Sequence, residues 1–513
     1  MTAVKNPARS LILVTVDCLR ADHTGFLGYS RPTTPFLDSL APESLLVPNA
    51  IVAGAPTYYS FPAILGSRHP LALGREVLGL APGEPSLATV LAEAGYRTAA
   101  LNAANVYLSP RFGFHQGFEI FSDFLDSDLA QSGEPDSRDR QLAWYSRLNR
   151  GLKHASRHLR PFNAVYDELY FQYCQWLASR SRAPMDSLRR VPPANFLVDQ
   201  ALTWVRSVAG QPFFLWLHFM DAHHPYYPSE EALAAMGRPD IDADRARYLN
   251  SFWDRGDLNA QRLRRHLDDI IALCDAAIRW VDTQLSRLAE GLLELGLWSE
   301  AALVVSADHG EEFLDHGGRY HAPVKLTEEL IRVPLLVRVP GVQTARVAGS
   351  LFSLLDLAPT LLDIIGAPAP PEFQGRSRWE ALRTGDAAAD PVIVEAVEGC
   401  TNPFRPEDRI GSRLLAVRDS RYKLVLHLAD GREELFDLEA DHGEHSPVPV
   451  GSATKTRRRL LEVAQAHIAQ SAVGLASPAR LRARLQDLQQ TLECGTATED
   501  EPELNFLQVR TGT

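Results

Sequence analysis

The chain has 513 residues, 45% hydrophobic and 23% charged, with a formal net charge of −12. That length implies two or three domains, and the composition excludes collagen-like and low-complexity chains. The acidic balance argues against a dedicated nucleic-acid binder, whose phosphate affinity comes from clustered Lys and Arg.

The first ten residues, Met1–Ser10, are short and polar and run straight into an apolar stretch, unlike a secretion leader. No apolar run reaches the ~18 residues that span a bilayer, so a cytoplasmic protein is expected. Five scattered cysteines, Cys18, Cys174, Cys274, Cys400 and Cys494, form neither a disulfide framework nor a paired zinc motif. Leu11–Val16 reads as a strand buried on both faces and ends in Asp17. Ser86–Ala94 has a helical pattern. The stretch 126–193 is helical in tendency and dense in aromatic and basic residues, among them Trp144, Tyr166, Phe171, Trp176, Arg147 and Lys153. It reads as a helical cap with its own small core, or as a lid shaping a pocket for a bulky or lipid-like substrate. Phe213–Phe219 is a second buried strand, ending near Asp221 and His223. A long helix follows over Gln261–Leu295. Ala302–Ser306 is a third strand, ending in Asp308 and His309.

Strands alternating with helices predict an α/β fold, a mostly parallel central sheet flanked by helices. Ligands of such sheets bind beyond the carboxyl ends of the strands, where Asp17, Asp221 and Asp308 are expected. Beyond the Pro- and Gly-rich 366–375 segment, Leu414–Val417, Lys423–His427 and Glu433–Leu438 read as antiparallel strands, with Asp430-Gly431 as a hairpin turn. The expected division is therefore an α/β catalytic domain over 10–365, a small antiparallel subdomain over 366–450, and a helical tail over 451–513 with a mobile acidic end. Leu481, Leu485, Leu488 and Leu492 in that tail have a/d-like spacing suited to a homo-oligomer.

Singly, an Asp at a strand end is a weak signal. Two strand-end acidic sites, the His-rich D-A-H-H-P and the cluster D-H-G-E-E-F-L-D-H-G-G-R-Y-H together point to a divalent metal. Aspartate and imidazole suit Zn²⁺ or Mn²⁺, and a metal so held polarises an ester oxygen. The segment LILVTVDCLRADHTGFLGYSRPTTPFLDSLA resembles the opening of the sulfatase family, in the alkaline phosphatase superfamily. Thr57-Tyr58-Tyr59-Ser60-Phe61-Pro62 stands where sulfatases carry C/S-x-P-S-R, whose first residue becomes formylglycine. Ser306–Glu311 resembles the family's second metal motif, Ile331–Leu336 its R-V-P-L strand, Leu355–Leu361 its D-x-A-P-T-L helix, and Tyr422–Leu424 with Glu434–Leu438 its C-terminal hairpin. The likeness covers about residues 10–120 and 200–445, in the family's order.

The resemblance implies one metal per chain held by Asp17, Asp308 and His309. Thr57 would be both a ligand and the nucleophile. It implies that His223 protonates the leaving group or contacts the substrate, and that His321 stands near where sulfatases place a Lys. Ser60, His224 and His316 are candidate substrate contacts, and a structural role is equally open for the two histidines. So is Asn102, within the Leu101–Ala104 stretch that replaces the family's G-K-W-H; His115 reads as structural. The family's second acid is Cys18 here, which suggests a leaner single-metal site. A threonine ester cannot collapse to an aldehyde as a formylglycine hydrate does, so water or an alcohol must attack it directly. Phosphoryl centres permit that. Hydrolysis or transfer of a phosphate ester or diester is therefore expected ahead of sulfate ester hydrolysis. A catalytically silent sulfatase-like binding protein is the competing class. The expected partner is a small-molecule or lipid-like phospho or sulfo ester, with no nucleic acid and no transmembrane segment.

Overall fold

A computed structural model describes residues 8–75, 77–125, 184–323, 325–342, 351–385, 390–474 and 480–486, with isolated positions at 168, 171–173, 175–176 and 478. The central sheet is built from β1 (Ser10–Val16), β2 (Leu45–Leu46), β3 (Arg97–Asn102), β4 (Ile120–Ser122), β5 (Phe213–Phe219), β6 (Ala301–Ala307) and β7 (Leu335–Arg338). Their order is β2-β7-β6-β1-β5-β3-β4. The five strands β1, β3, β4, β5 and β6 run parallel, while β7 pairs antiparallel with β6 and with β2 at one edge.

The three strands read from the sequence are buried along their whole length. Helices cover both faces, as a parallel sheet requires, and β1 lies at the centre between β5 and β6. The carboxyl ends of those three strands therefore open on one patch, and that patch is the site.

Several helices hold it in place: α1 (Thr57–Gly66), α2 (Leu87–Glu93), α3 (Ala194–Ser207), α4 (Ala243–Trp253), α5 (Leu267–Glu294), α6 (Leu357–Ile365) and α7 (Thr454–Gly474). The long helix expected over 261–295 is divided into a short helix Ala260–Leu263, a tight turn Arg264–His266, and α5. Buried Asp275 of α5 accepts hydrogen bonds from Tyr29 and Arg31 and pairs with His23 at 2.8 Å. Asp282 accepts from the backbone of Phe36 and Leu37, at the amino end of helix Pro35–Leu40. One helix thus anchors the segment that follows Asp17.

The C-terminal sheet has four strands rather than the three expected: β8 (Val392–Val397), β9 (Arg413–Arg418), β10 (Tyr422–His427) and β11 (Arg432–Asp437), paired in that order. The hairpin at Asp430-Gly431 is present, with Gly431 at φ 74°, a conformation that favours glycine. Alternate residues face opposite ways. Leu414, Ala416, Val425 and Phe436 join the main core, whereas Leu415, Val417, Leu424 and Leu435 pack under Leu460 and Ala464 of α7. This sheet is sandwiched between the α/β core and the C-terminal helix.

Most of the 126–193 segment lies outside the described residues. Its described part packs Phe171 against Tyr248 and Phe252 of α4, with Arg255 paired to Glu168 at 2.6 Å. Of the four tail leucines, Leu481 and Leu485 are exposed, and Leu488 and Leu492 lie outside the described residues. Among the described residues no helix is long and apolar enough to cross a membrane.

Candidate functional site

Asp17 is the first residue beyond β1, and its amide donates to Phe219 O of β5 at 2.9 Å, which continues the sheet register into the site. Asp308 and His309 follow β6 directly. Thr57 opens α1, whose ten residues are all buried. An amino end so placed suits an anionic centre. The four side chains are fully or almost fully buried and converge. His309 Nε2 lies 3.1 Å from Thr57 Oγ1, 3.5 Å from Asp308 Oδ2 and 3.7 Å from Asp17 Oδ1.

On its other side His309 Nδ1 sits 2.9 Å from Gly310 O, which fixes the proton on Nδ1 and leaves Nε2 as a lone pair. Gly310 itself packs against the 328–331 helix, where a Cβ would stand 1.9 Å from Glu329 O. Asp308 Oδ2 is buried and has no hydrogen-bond partner. A lone-pair nitrogen, a hydroxyl and two carboxylates aimed at one another fit a divalent cation, since an unpaired buried carboxylate oxygen is otherwise costly.

The electrostatics are those of a pocket awaiting positive charge. Burial and neighbouring Asp17 raise the Asp308 carboxyl above its ordinary value. For Asp17 burial opposes ionisation, but His218, His223 and His309 outweigh it and hold the carboxyl low. Burial likewise disfavours charge on His309, and Asp308 and Asp17 outweigh it to raise that imidazole.

A second tier of histidines stands beside this cluster. The His321 ring lies 4.4 Å from His309 and 5.2 Å from His223. Its Nδ1 is 3.5 Å from buried Glu311 and from Cys18 Sγ. Burial and His309 together keep His321 below the usual imidazole value. His223 Nδ1 is committed to His224 O at 2.5 Å, so its Nε2 is the atom left for chemistry. Cys18, at φ 62°, turns its thiol back to within 3.1 Å of Asp17 Oδ1. The position expected to be vacated by a lost carboxylate is therefore filled by sulfur. One ligand atom each from Asp17, Cys18 and His223 lies within 4.8 Å of the others, as do those of Cys18, His309 and His321.

Two functional residues went unread in the sequence. His218, inside β5, stands 3.4 Å from Asp17 Oδ2, and its Nδ1 lies 2.9 Å from Thr15 Oγ1. Trp216 Nε1 donates to the same hydroxyl at 3.0 Å, and that hydroxyl also reaches Leu217 O at 3.4 Å. Asn105 Nδ2 donates to the same carboxylate oxygen at 2.9 Å. A histidine in an otherwise apolar strand was the available signal for the first.

Other expected contacts are placed elsewhere. Asn102 is fully buried, and its amide is spent on Leu108 O at 2.7 Å and on the backbone of Asn105, so it shapes the loop that presents Asn105. His316 is paired with Glu329 at 2.9 Å. Asp221 accepts from Ala194 N at 3.2 Å at the start of α3, and burial pushes its carboxyl up to about 6. His224 lies against Asp254 at 3.7 Å and Tyr320, and burial lowers it to about 4. Ser60, one helical turn beyond Thr57, is fully buried and its hydroxyl has no partner. His115 packs edge-on against Phe121.

The wall beside Thr57 is aromatic. Phe61 sits in the core against Phe114, Trp216 and the His218 ring, with ring centroids 6.0, 5.3 and 5.2 Å away. Tyr58 meets Tyr107 at 5.1 Å, and Tyr107 stacks on Phe404 at 5.5 Å. Arg20, from the R-x-D-H stretch, ties the loop after β1 to the loop after β6 through Asp22, Asp315 and Glu311 O.

Comparison with known proteins gives a consistent picture. Residues 9–367 match the family model described as Sulfatase, and residues 319–466 match the C-terminal region of N-sulphoglucosamine sulphohydrolase. The multifunctional alkaline phosphatase superfamily protein PehA of Trinickia caryophylli is 23% identical over 85% of this chain and 90% of its own. Arylsulfatase K of Bos taurus is 25% identical over 48% of this chain, which spans about half (50%) of that relative's length. Among solved structures, the phosphonate monoester hydrolase of Agrobacterium radiobacter superposes with a TM-score of 0.62 at 18% identity, covering 91% of this chain and 96% of that one. The phosphonate monoester hydrolase SpPMH of Silicibacter pomeroyi gives 0.61 at 21% identity, over 90% and 95%.

Proposed function

Because the chain belongs to the sulfatase family, and so to the ester-bond hydrolases of the alkaline phosphatase superfamily, we propose that it cleaves or transfers a phosphate ester or diester with Thr57 as nucleophile. The observation that carries this reading is the Thr57 hydroxyl 3.1 Å from His309 Nε2, inside the Asp17–Asp308–His309 cluster. A cation held by Asp17, Asp308, His309 and Thr57 would acidify that hydroxyl and offset charge on the phosphoryl oxygens. The imidazole of His309 beside two carboxylates suits Zn²⁺ or Mn²⁺.

This chain's own residues supply the rest. Thr57 Oγ1, its proton already lost to solvent, bonds to phosphorus as the ester oxygen leaves, and His223 Nε2 gives that oxygen its proton. Water, or an acceptor alcohol, then attacks the phosphothreonine, returns a proton to His223 and frees Thr57. His321, held by Glu311, hydrogen-bonds the transferred group. His218 and Asn105 keep Asp17 ionised and aimed. The aromatic wall of Tyr58, Tyr107 and Phe404 suits the organic part of an ester. The similar proteins include phosphonate monoester hydrolases and an arylsulfatase, which bracket the class.

Mass spectrometry of enzyme quenched during turnover of an aryl phosphate tests the reading. About 80 Da on the peptide containing Thr57 is expected from a covalent phospho-intermediate. An unmodified peptide at full turnover, or turnover of aryl sulfates alone, overturns it.

A further inference from the structure

Away from the reaction site, three ligand-type side chains from distant parts of the chain meet at the seam between the α/β core and helix α7. His69 lies in the turn after α1, Glu395 on β8 and His467 on α7. One ligand atom from each lies within 4.8 Å of the other two. His467 Nε2 is 2.9 Å from Glu395 Oε1, and the two imidazole rings are 4.5 Å apart. Glu395 and His467 are buried.

We propose that His69, Glu395 and His467 form a second metal site, structural in role and suited to Zn²⁺, that fastens helix α7 to the catalytic domain. A simple His467–Glu395 ion pair explains two of the three groups and leaves the third unexplained. His69 Nδ1 is buried with no hydrogen-bond partner, and an orphaned buried nitrogen is a cost that folded proteins rarely leave standing. A cation bonded to all three removes it. Two imidazole nitrogens and one carboxylate oxygen are a common zinc donor set, with bonds of about 2.0–2.2 Å. Tetrahedral ligands at that range stand about 3.3 Å apart, so the 2.9 Å His467–Glu395 contact needs only a small adjustment.

The supports that orient metal ligands are present as well. Leu71 N donates to Glu395 Oε2 at 3.3 Å, Arg413 approaches Oε1 at 3.9 Å, and the Glu395 backbone amide is fixed to Ala53 O at 2.9 Å. His69 is itself positioned by its amide, which donates to Gln374 Oε1 at 2.7 Å.

The test compares zinc content in the full chain and in His69→Gln and His467→Gln, each equilibrated with excess ZnCl₂ and desalted. Wild type is expected to hold one equivalent more than either variant, whatever the reaction site holds. Zinc should raise its melting temperature by several degrees, and the variants should lose that part of the rise. Equal zinc content in all three proteins overturns the site. Anomalous diffraction at the zinc edge from wild-type crystals decides the matter without any variant. A peak bonded to His69 Nδ1, Glu395 and His467 is expected, and no peak there overturns the proposal.

Discussion

The two sides of the reaction site have been treated very differently. On one side, Asp17, Thr57, Asp308 and His309 converge as the proposed cation donors, with His218, Asn105 and Gly310 against them. On the side where a sulfatase grips its sulfate, the residues that resemble the family's recognition motifs have turned inward. Phe61 stands where the family carries an Arg and is packed among aromatic rings, and Asn102 spends its amide on loop backbone. The reacting group and the group being recognised are therefore separable parts of one site. A chain can keep the apparatus for attacking a charged ester while it remakes what it attacks.

The strongest way to break this contrast is Thr57→Ala. Turnover should fall by about 10⁴-fold or more, as for other lost nucleophiles, while bound metal stays near the wild-type level because Asp17, Asp308 and His309 remain. Thr57→Ser should retain measurable activity. Kinetics and elemental analysis on the same samples check both, and full activity in the alanine variant would refute the nucleophile.

Restoring the family's arginine probes the opposite side. Phe61→Arg buries a charge with no partner among aromatic rings, so denaturant titration should show a loss of about 3–5 kcal/mol. No sulfatase activity should be gained. A folded, sulfate-cleaving variant would mean that the recognition side is still intact.

His218→Leu sharpens the boundary between the two sides. It removes one of the groups that hold Asp17, so metal affinity should drop by about 10–100-fold, the usual effect of losing such a support. The wild-type Kd in a competition titration would instead make His218 a core residue only.

The smallest effect is one of pH. Burial lowers His224 to about 4 in the folded chain, against an ordinary value of 6.5. Between those values the unfolded chain binds a proton that the native state refuses, so stability rises with pH there and is lost on acidification. From pH 6.5 to pH 5.5 this amounts to about 1 kcal/mol, and His224→Gln should flatten that part of the profile.

Much of this was legible in the chain because local pattern carried it. Mostly apolar runs ending at or near an Asp gave the three central strands, and Asp17, Asp308 and His309 converge with Thr57 at their ends. What the pattern could not carry was pairing. His218 reaches Asp17 because β5 lies beside β1 with Thr15 opposite His218, and Asn105 arrives through β3 on the far side of β5. Neither neighbour is written in local spacing. Asp221 had the right position at a strand end but was claimed by the amino end of α3, and His316 by Glu329. Strand β8 was missed because Glu395 interrupts its apolar run, and that glutamate faces the seam with His467.

The central place of β1 also sets an order of events during synthesis. It leaves the ribosome first, yet its partners β5 and β6 come much later, and the Thr57 hydroxyl meets a nitrogen 252 residues downstream. At translation speeds of about 5–20 residues per second, that interval is on the order of 10–50 s. Until β5 is made SLILVTV is an unpaired, mostly apolar strand, the kind of segment that sticks to other nascent chains. No cation can be trapped early by the finished site, since Asp308 and His309 have not yet been made. Metal loading therefore follows closure of the sheet, and a cell making this protein must shelter its first strand until then.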